Sequence, residues 1–152
     1  MSKTQGRAIA PILLTAAACD FALSEPKQGT PLVGTRWKIV ELRSKPVSPE
    51  PGKREAFLQL QGDDNRYAAS AGCNGMGGEY TTSGSEVRFK PGPTTMMACG
   101  EPYDERERDF GKALQSASSF KIAGPLLELR DGETVLVKLQ STTAREGLDN
   151  PK

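Results

Sequence analysis

Histidine is absent from all 152 residues of this chain. Its absence excludes histidine-based catalytic triads, histidine general bases and histidine-ligated metal sites. Hydrophobic residues make up only 36% of the sequence and aromatic residues 6%, so we expect a single domain with a small core. The formal net charge of +1 leaves no basic face of the kind that binds nucleic acid. We therefore expect no metal, no cofactor and no nucleic-acid partner.

The apolar run near the N-terminus, from Ile9 to Ala18, is too short to cross a bilayer as a helix, which takes about 20 residues. It follows Lys3 and Arg7 and is typical of a signal peptide, which we place at residues 1–18. The small residues before Cys19 resemble a bacterial lipobox, in which the cysteine is lipidated and becomes the mature N-terminus. Two alternatives stay open: conventional signal cleavage, and a cytoplasmic chain whose apolar start arises by chance.

Lipidation of Cys19 predicts a protein of the bacterial cell envelope that faces the periplasm and is anchored to the membrane through its lipid. Residues 19–31 are polar, with proline and glycine, and indicate a flexible tether. Cleavage would remove Lys3 and Arg7 and lower the net charge from +1 to about −1. Residues 141–152 have few apolar side chains and are predicted to form a disordered tail.

Short stretches of apolar residues, separated by turn residues, predict several strands. Trp37, Ile39 and Leu42 indicate a first strand within residues 32–42, with Trp37 in the core. Prolines predict a long loop over residues 44–55, because proline cannot pair inside a strand. The remaining strands are expected at 56–61, 66–71, 79–82, 86–89, 120–123, 126–129 and 135–139.

One helix interrupts these strands. Pro102 suits its first turn, where a missing N–H has no cost. A single apolar stripe is formed by Tyr103, Phe110, Leu114 and Ala117. The charged run over residues 101–109 is expected on the solvated face of the helix. Frequent turn signals with one amphipathic helix predict a mainly β (α+β) fold, in which an antiparallel sheet curls around the helix.

Cys73 and Cys99 are the two cysteines outside the predicted lipid site, and they lie 26 residues apart. In an exported chain we expect them to pair as a disulfide, although two buried thiols would also suit a structural role. A redox role is a weaker alternative, because the chain has no Cys-x-x-Cys motif and no histidine to lower a thiol pKa. Zinc binding is disfavoured, since two cysteines leave a site two ligands short.

The segment from Gly72 to Gly78 is rich in glycine but lacks the Gly-Lys-Ser/Thr ending of a phosphate-binding loop. We expect its glycines and Asn74 to supply positive φ at a sharp bend between strands. The Asn74 side chain is expected to cap that bend, with a ligand contact as the alternative.

The segment Thr94-Thr95-Met96-Met97 is expected to cover one end of the curled sheet, with methionine as an adaptable filler. The alternative is a surface that faces a ligand or a partner. Such a surface would include Asn74, Met76, Thr94, Thr95, Met96 and Met97.

Several fragments occur in an order that resembles the META domain of HslJ-like bacterial stress proteins. They are Leu32-Val33-Gly34-Thr35-Arg36-Trp37, Gly72-Cys73-Asn74, Gly78-x-Tyr80, Thr94-Thr95-Met96-Met97-Ala98-Cys99, Phe110-x-x-x-Leu114 and Leu127-x-Leu129-x-Asp131-Gly132. The resemblance covers residues 32–140. It implies a small antiparallel β-barrel or half-barrel with one packed helix, and links to stress tolerance and the envelope. It implies no catalytic mechanism.

We therefore expect a non-catalytic, stress-related binding or interaction module without catalytic residues. Its partner would be an unknown envelope protein or a small apolar ligand, because small barrels often serve as binding scaffolds. Two alternatives remain: an enzyme that uses carboxylate or hydroxyl residues on the same scaffold, and a chaperone-like structural protein of the envelope.

Overall fold

A computed structural model describes residues 29–142 of the chain. The predicted signal peptide, Cys19 and residues 143–152 of the predicted tail lie outside these residues. The described part contains nine strands, one α-helix and a short 3₁₀ turn at Asp63–Asn65. The elements are β1 (Arg36–Leu42), β2 (Lys45–Pro46), β3 (Phe57–Leu60), β4 (Arg66–Ser70), β5 (Gly75–Ser83), β6 (Glu86–Thr94), α1 (Tyr103–Ser116), β7 (Ser119–Ala123), β8 (Leu126–Asp131) and β9 (Thr134–Ser141).

All nine strands belong to one antiparallel sheet, in the order β2-β1-β3-β4-β5-β6-β7-β8-β9. A further pairing joins β1 to β9, from Trp37 opposite Ser141 to Leu42 opposite Val137, and closes the sheet into a ring. The short β2 lies outside the ring as an arm of β1. The predicted mainly β fold, a small antiparallel barrel with one helix, is confirmed.

The core lies inside this ring and follows the two-residue period of the strands. Trp37 and Ile39 are buried on β1, and the next buried residue, Leu42, comes three positions later. A β-bulge between Ile39 and Glu41 absorbs the extra residue and returns Leu42 to the inner face. Neighbouring strands contribute Leu58, Leu60, Tyr67, Tyr80, Val87, Leu127, Leu129, Val137 and Leu139.

Helix α1 completes the core from outside the sheet. Its predicted apolar stripe is buried in full, with Phe110 and Leu114 at the centre and Tyr103 and Ala117 at the ends. Asp104 and Glu105 lie in its first turn, where carboxylates favour the positive end of the helix dipole. Helix α1 is the single α-helix among residues 29–142 and has 14 residues. With this length and a largely polar outer face, it does not meet the requirements of a membrane span.

The ring has its shortest strand pairing between β6 and β7. Only Glu86 and Ser119 pair there, supported by hydrogen bonds from Val87 N to Ser118 O and from Phe120 N to Ser85 O. Beyond Val87 the outer edge of β6 leaves β7, and α1 packs beside it instead. The helix therefore lies against the part of β6 that does not pair with β7.

Strand β6 is longer than the predicted 86–89 and continues through Pro91 and Pro93 to Thr94. A two-residue turn joins Ser83 of β5 to Glu86 of β6. From this turn onward, opposite residues alternate between hydrogen-bonded and non-hydrogen-bonded pairs. Pro91, opposite Gly78, lies in a non-hydrogen-bonded pair. A proline at this position removes no ladder bond, since its nitrogen faces the free edge of β6.

The glycine-rich segment is mostly strand rather than bend. Gly72 has a φ of 117°, but β5 begins at Gly75, and Gly78 lies against the β6 backbone. A Cβ at Gly78 would collide with Lys90 O and would lie 2.8 Å from Tyr67 Cε1 and 2.9 Å from Gly92 N. A Cβ at Gly92 would lie 2.9 Å from Gly77 O. The glycines allow two backbones to approach each other closely.

Three predicted boundaries need correction. Arg43 and Ser44 both have positive φ and form a tight turn, so that β2 pairs with the end of β1 inside the predicted loop. Residues 30–31 of the predicted tether are fixed, because Thr30 Oγ1 donates to Gly124 O at 2.8 Å and Thr35 Oγ1 donates to Pro31 O at 2.6 Å. Ser141 ends β9, and Thr142 N donates to Arg36 O at 3.1 Å, so the predicted tail begins too early.

Replacing Gly78 with alanine should destabilise the protein, because the colliding atoms belong to the backbone and cannot rotate away. We expect a loss of at least about 2 kcal/mol in the free energy of unfolding, measured by urea denaturation. The matched control is Gly111→Ala on α1, where a Cβ meets nothing within 4 Å. That control should gain about 0.5–1 kcal/mol from helix propensity. Equal stabilities for the two variants would contradict the close approach of β5 and β6.

Candidate functional site: a groove between α1 and the β5–β6 hairpin

A groove of about 340 Å³ runs between α1 and the far end of the β5–β6 hairpin, beyond the point where β6 leaves β7. We call it the α1 groove. Its strand wall is formed by Met76, Gly77, Pro91, Gly92 and Thr94. Its helix wall is formed by Asp104, Glu107, Arg108, Gly111, Leu114 and Gln115, while Tyr67 and Asn74 complete the lining.

Gly111 lies in the middle of α1 and opens the helix wall. Glycine in a helix interior costs about 1 kcal/mol relative to alanine. No packing contact at this position explains that cost, because a Cβ here would meet nothing within 4 Å. The missing side chain leaves free volume on the groove side of the helix.

Tyr67 places a phenol at the groove. The residue is only 5% exposed, and its ring packs edge-on against Phe89 with 5.3 Å between the ring centroids. Burial raises the pKa of the Tyr67 hydroxyl, so it stays protonated at neutral pH. The hydroxyl has no hydrogen-bond partner within residues 29–142, yet it is not among the fully enclosed unpaired polar atoms. It therefore reaches the surface of the groove that its residue lines.

The helix wall carries an uneven charge. Asp104 and Glu107 are three residues apart and share one face of α1. Neither takes part in an ion pair within the described part of the chain. Arg108 is the single cation of the lining, so the two carboxylates outnumber it, and its Nη2 also lies 3.1 Å from Glu101 Oε1. The groove is consequently negative on this wall.

Asn74 closes one end of the groove and joins three segments. Its Oδ1 accepts hydrogen bonds from Met97 N at 2.8 Å and Thr95 Oγ1 at 3.0 Å. Its Nδ2 donates to Met97 O at 3.2 Å and Glu107 Oε2 at 2.9 Å. The buried Asn74 side chain thus donates two hydrogen bonds and accepts two, which is its full capacity. Instead of capping a local bend, Asn74 fixes residues 94–99 to the start of β5 and to α1.

The disulfide predicted between Cys73 and Cys99 is present, with 6.3 Å between the Cα atoms. This separation lies within the usual range for disulfides. The bond is next in sequence to Asn74 and fastens the far end of the same segment. Thr95 adds two further contacts at the near end, because its Oγ1 accepts from Gly75 N and its N donates to Gly75 O, both at 3.0 Å.

The methionines of this segment are not filler. Met96 is 96% exposed and Met97 is 53% exposed, whereas Met76 packs partly against the core. Thr94, Met96 and Met97 line a second, shallower depression that shares Asn74, Asp104 and Glu107 with the α1 groove. The two methionines therefore form an apolar rim beside the mouth of the groove.

A separate cluster holds the loop before β3 against α1. Tyr103 Oη donates to Glu50, and Arg106 Nη2 lies 3.5 Å from Glu50 Oε1. The bond from Tyr103 lowers the pKa of Glu50, and the same bond raises the pKa of the Tyr103 phenol. Lys53 Nζ lies 4.8 Å from the centroid of the Tyr103 ring. This cluster lies away from the lining of the α1 groove and has a structural role.

The structure brings together most of the predicted surface residues, with Asn74, Met76 and Thr94 in the α1 groove and Thr95, Met96 and Met97 beside it. Sequence reasoning missed Tyr67, Gly111 and the carboxylates of Asp104 and Glu107, which it had placed on a solvated helix face. A glycine inside an amphipathic helix was the available signal for the groove. No three metal-ligating side chains among His, Cys, Asp and Glu converge within residues 29–142.

Removing the disulfide and the Asn74 side chain should weaken the same segment. The double variant Cys73→Ser/Cys99→Ser is expected to lose roughly 3.5 kcal/mol of unfolding free energy, from the loop-entropy relation for a 26-residue separation. Asn74→Ala is expected to lose about 3 kcal/mol, because it leaves buried partners unsatisfied. Denaturation of the single, double and triple variants measures the coupling. Strict additivity would contradict a shared role in holding residues 94–99.

The comparisons with known proteins agree with this architecture. One NMR structure of a protein is 19% identical, with a TM-score of 0.57, and the match covers 72% of this chain and 90% of that one. An NMR structure of a protein from Burkholderia xenovorans is 20% identical, with a TM-score of 0.55, and the match covers 93% and 98% of the two chains. At these identities the likeness concerns the fold alone. No curated protein matches this chain.

The META domain family model matches residues 30–143. The match includes every strand of the ring, the helix and both walls of the α1 groove. Because it covers most of the sequence, the chain belongs to the META domain family.

Proposed function

We propose that this protein is a non-catalytic binding module of the bacterial envelope, related to stress, that holds a small apolar ligand in the α1 groove. The observation that carries the proposal is the groove itself, an opening of about 340 Å³ between two walls of different chemistry. Its volume lies at the lower end of the range of small-molecule sites, which run from about 300 to 1,000 Å³.

The composition of the lining supports a small ligand. Apolar groups come from Met76, Pro91 and Leu114, and the backbones of Gly77 and Gly92 bring the floor of the strand wall close to a ligand. Polar side chains also line the groove, at Asn74, Thr94, Asp104, Glu107, Arg108 and Gln115, but most of the surface that the groove exposes is apolar. Mostly apolar walls with few polar contacts are typical of small-molecule sites.

The rigidity of the mouth supports binding as well. Residues 94–99 are held at one end by Thr95, in the middle by Asn74 and at the other end by the disulfide. A site that is ordered before the ligand arrives loses less conformational entropy on binding. The exposed Met96 and Met97 then offer flexible, polarisable side chains that adapt to the part of a ligand outside the groove.

The envelope location in this proposal rests on the sequence of residues 1–31. A lipid on Cys19 would hold the domain at the membrane through a tether that ends at residue 29, because Thr30 is already bonded to the barrel. The disulfide supports an oxidising compartment, since structural disulfides persist there and are rare in the cytosol.

The enzyme alternative has a specific weakness. The groove does contain two carboxylates, Asp104 and Glu107, but both project from one helix wall. The opposite strand wall contributes no titratable side chain to the lining. Glycosidase-type chemistry needs two carboxyl groups that flank the scissile bond, so a pair on a single wall favours binding over catalysis.

Filling the groove should abolish ligand uptake. We expect the neutral fluorescent probe N-phenyl-1-naphthylamine to brighten when it binds the wild-type protein. Gly111→Leu should remove most of the increase, because its side chain enters free volume inside the groove. Lys112→Leu adds the same side chain at the next position, which is exposed and outside the lining, and should keep the response. No fluorescence increase with wild-type protein, or equal responses from both variants, would overturn the proposed function.

The proposed envelope location predicts how each of the three cysteines is modified. Intact and peptide mass spectrometry of the protein from its native membrane, with alkylation before and after reduction, should show an acylated Cys19 at the mature N-terminus and a Cys73–Cys99 link. The proposal fails on location if residues 1–18 are retained and Cys73 and Cys99 are both alkylated without reduction. Cleavage without acylation would support secretion and contradict the lipid anchor.

A further inference from the structure

We propose that the ligand of the α1 groove is an amphiphilic cation, an apolar chain or ring that carries a protonated amine. This inference rests on the proposed function and names the chemical class of its ligand. The amine is held by the acidic helix wall, the apolar part lies between the strand wall and the notch at Gly111, and the Tyr67 hydroxyl supplies a neutral hydrogen bond.

The charge of the groove is complementary to a cation. Asp104 and Glu107 line the groove without an ion-pair partner among residues 29–142. One oxygen of Glu107 accepts a bond from the neutral amide of Asn74, which leaves the negative charge uncompensated. Arg108 is the single cation of the lining against these two carboxylates, and it also pairs with Glu101 at 3.1 Å. A cation entering the groove therefore meets a net attraction, and an anion of the same shape meets repulsion.

Tyr67 contributes an unpaired phenol to the residues that line the groove. Tyr67 is 95% buried, since only 5% of its surface is exposed, and its hydroxyl has no hydrogen-bond partner within the described residues. The hydroxyl is not fully enclosed, so a ligand group can replace the water that would otherwise bond to it. The other buried tyrosines are satisfied, because Tyr80 Oη donates to Gln61 O at 2.9 Å and Tyr103 Oη donates to Glu50. Tyr67 is thus the tyrosine whose hydroxyl is left for a ligand.

The groove also has space for the apolar part of a ligand. Gly111 removes a side chain from the helix wall, and Pro91 and Met76 face it from the strand side. An uncharged polar ligand would not use this surface, and an inorganic cation would leave it unfilled. A ligand that carries both an apolar part and a cationic group uses all three features of the groove.

Three ligands with the same eight-carbon chain separate charge from hydrophobicity. We expect octylammonium to bind the purified full chain at least about tenfold more tightly than octanol, from charge-assisted hydrogen bonds to carboxylates. Octanoate should bind more weakly than octanol. Isothermal titration calorimetry measures the three affinities at low ionic strength, and the advantage of octylammonium should shrink as salt is added.

Two variants assign the contacts. Asp104→Asn should reduce the affinity for octylammonium about fivefold and leave that for octanol unchanged. Glu133→Gln is the matched control: it removes a carboxylate from an exposed turn outside the groove lining and should change neither affinity. Tyr67→Phe should lower the affinities for octylammonium and octanol alike, because the Tyr67 hydroxyl can hydrogen-bond to a charged or a neutral head group.

The outcomes separate this inference from the proposed function. Equal affinities for octylammonium and octanol would overturn the cationic preference while leaving an apolar ligand site intact. Binding of octylammonium that persists unchanged in Gly111→Leu would place it on the general acidic surface and would also overturn the inference. Failure of all three ligands to bind would count against the inference and the proposed function together.

Discussion

The separation of β6 from β7 is the constraint on which the rest of this molecule depends. After the single pair of Glu86 and Ser119, β6 has no further partner on its β7 side, although it remains paired with β5 as far as Thr94. Apolar residues of the interior would then face solvent, and α1 prevents this by inserting Phe110 and Leu114 at the opening. The helix therefore covers the interior while contacting β6, β1 and β9, and the groove lies between it and the unpaired part of β6.

Because of the same opening, the segment between β6 and α1 needs stabilising contacts from outside the sheet. The segment between β6 and α1 has no partner strand, and its residues would be poorly ordered without other contacts. Asn74 and the disulfide provide them from a position directly before β5. Fixing this segment sets the position of α1 relative to the hairpin, since Asn74 also bonds to Glu107 on the helix. The geometry of the groove thus depends on residues at its end.

Elements whose signals are local in the sequence could be predicted, whereas features that depend on contacts between distant residues could not. Strands with alternating apolar residues and the helix with its stripe from Tyr103 to Ala117 could be identified because their signals are local. The turn at Arg43 and Ser44 carries no glycine or asparagine, so its positive φ angles had no signal in the sequence. The extension of β6 through Pro91 depends on a free edge, a property of the whole sheet that local patterns do not contain.

The candidate site was less accessible to sequence reasoning than the fold. The sequence favoured a filler role for Met96 and Met97, with a ligand- or partner-facing surface as the alternative, and only the structure shows that both side chains are exposed. Asp104 and Glu107 looked like solvated charges because their helix period is that of the outer face. They line a groove only because β6 ends beside them, and Tyr67 joins them from a strand far away in sequence.

The pairing of β1 with β9 has a consequence for how the protein acquires its structure. Trp37 and Ser141 are neighbours in the sheet although nearly the whole domain lies between them in the chain. The ring cannot close until the last strand has been synthesised, so early intermediates retain two unpaired strand edges. Contacts between such distant residues make folding slow, and open edges invite association with other chains. In the native barrel the edges of β1 and β9 are paired with each other, so the pairing of β9 with β1 completes the ring.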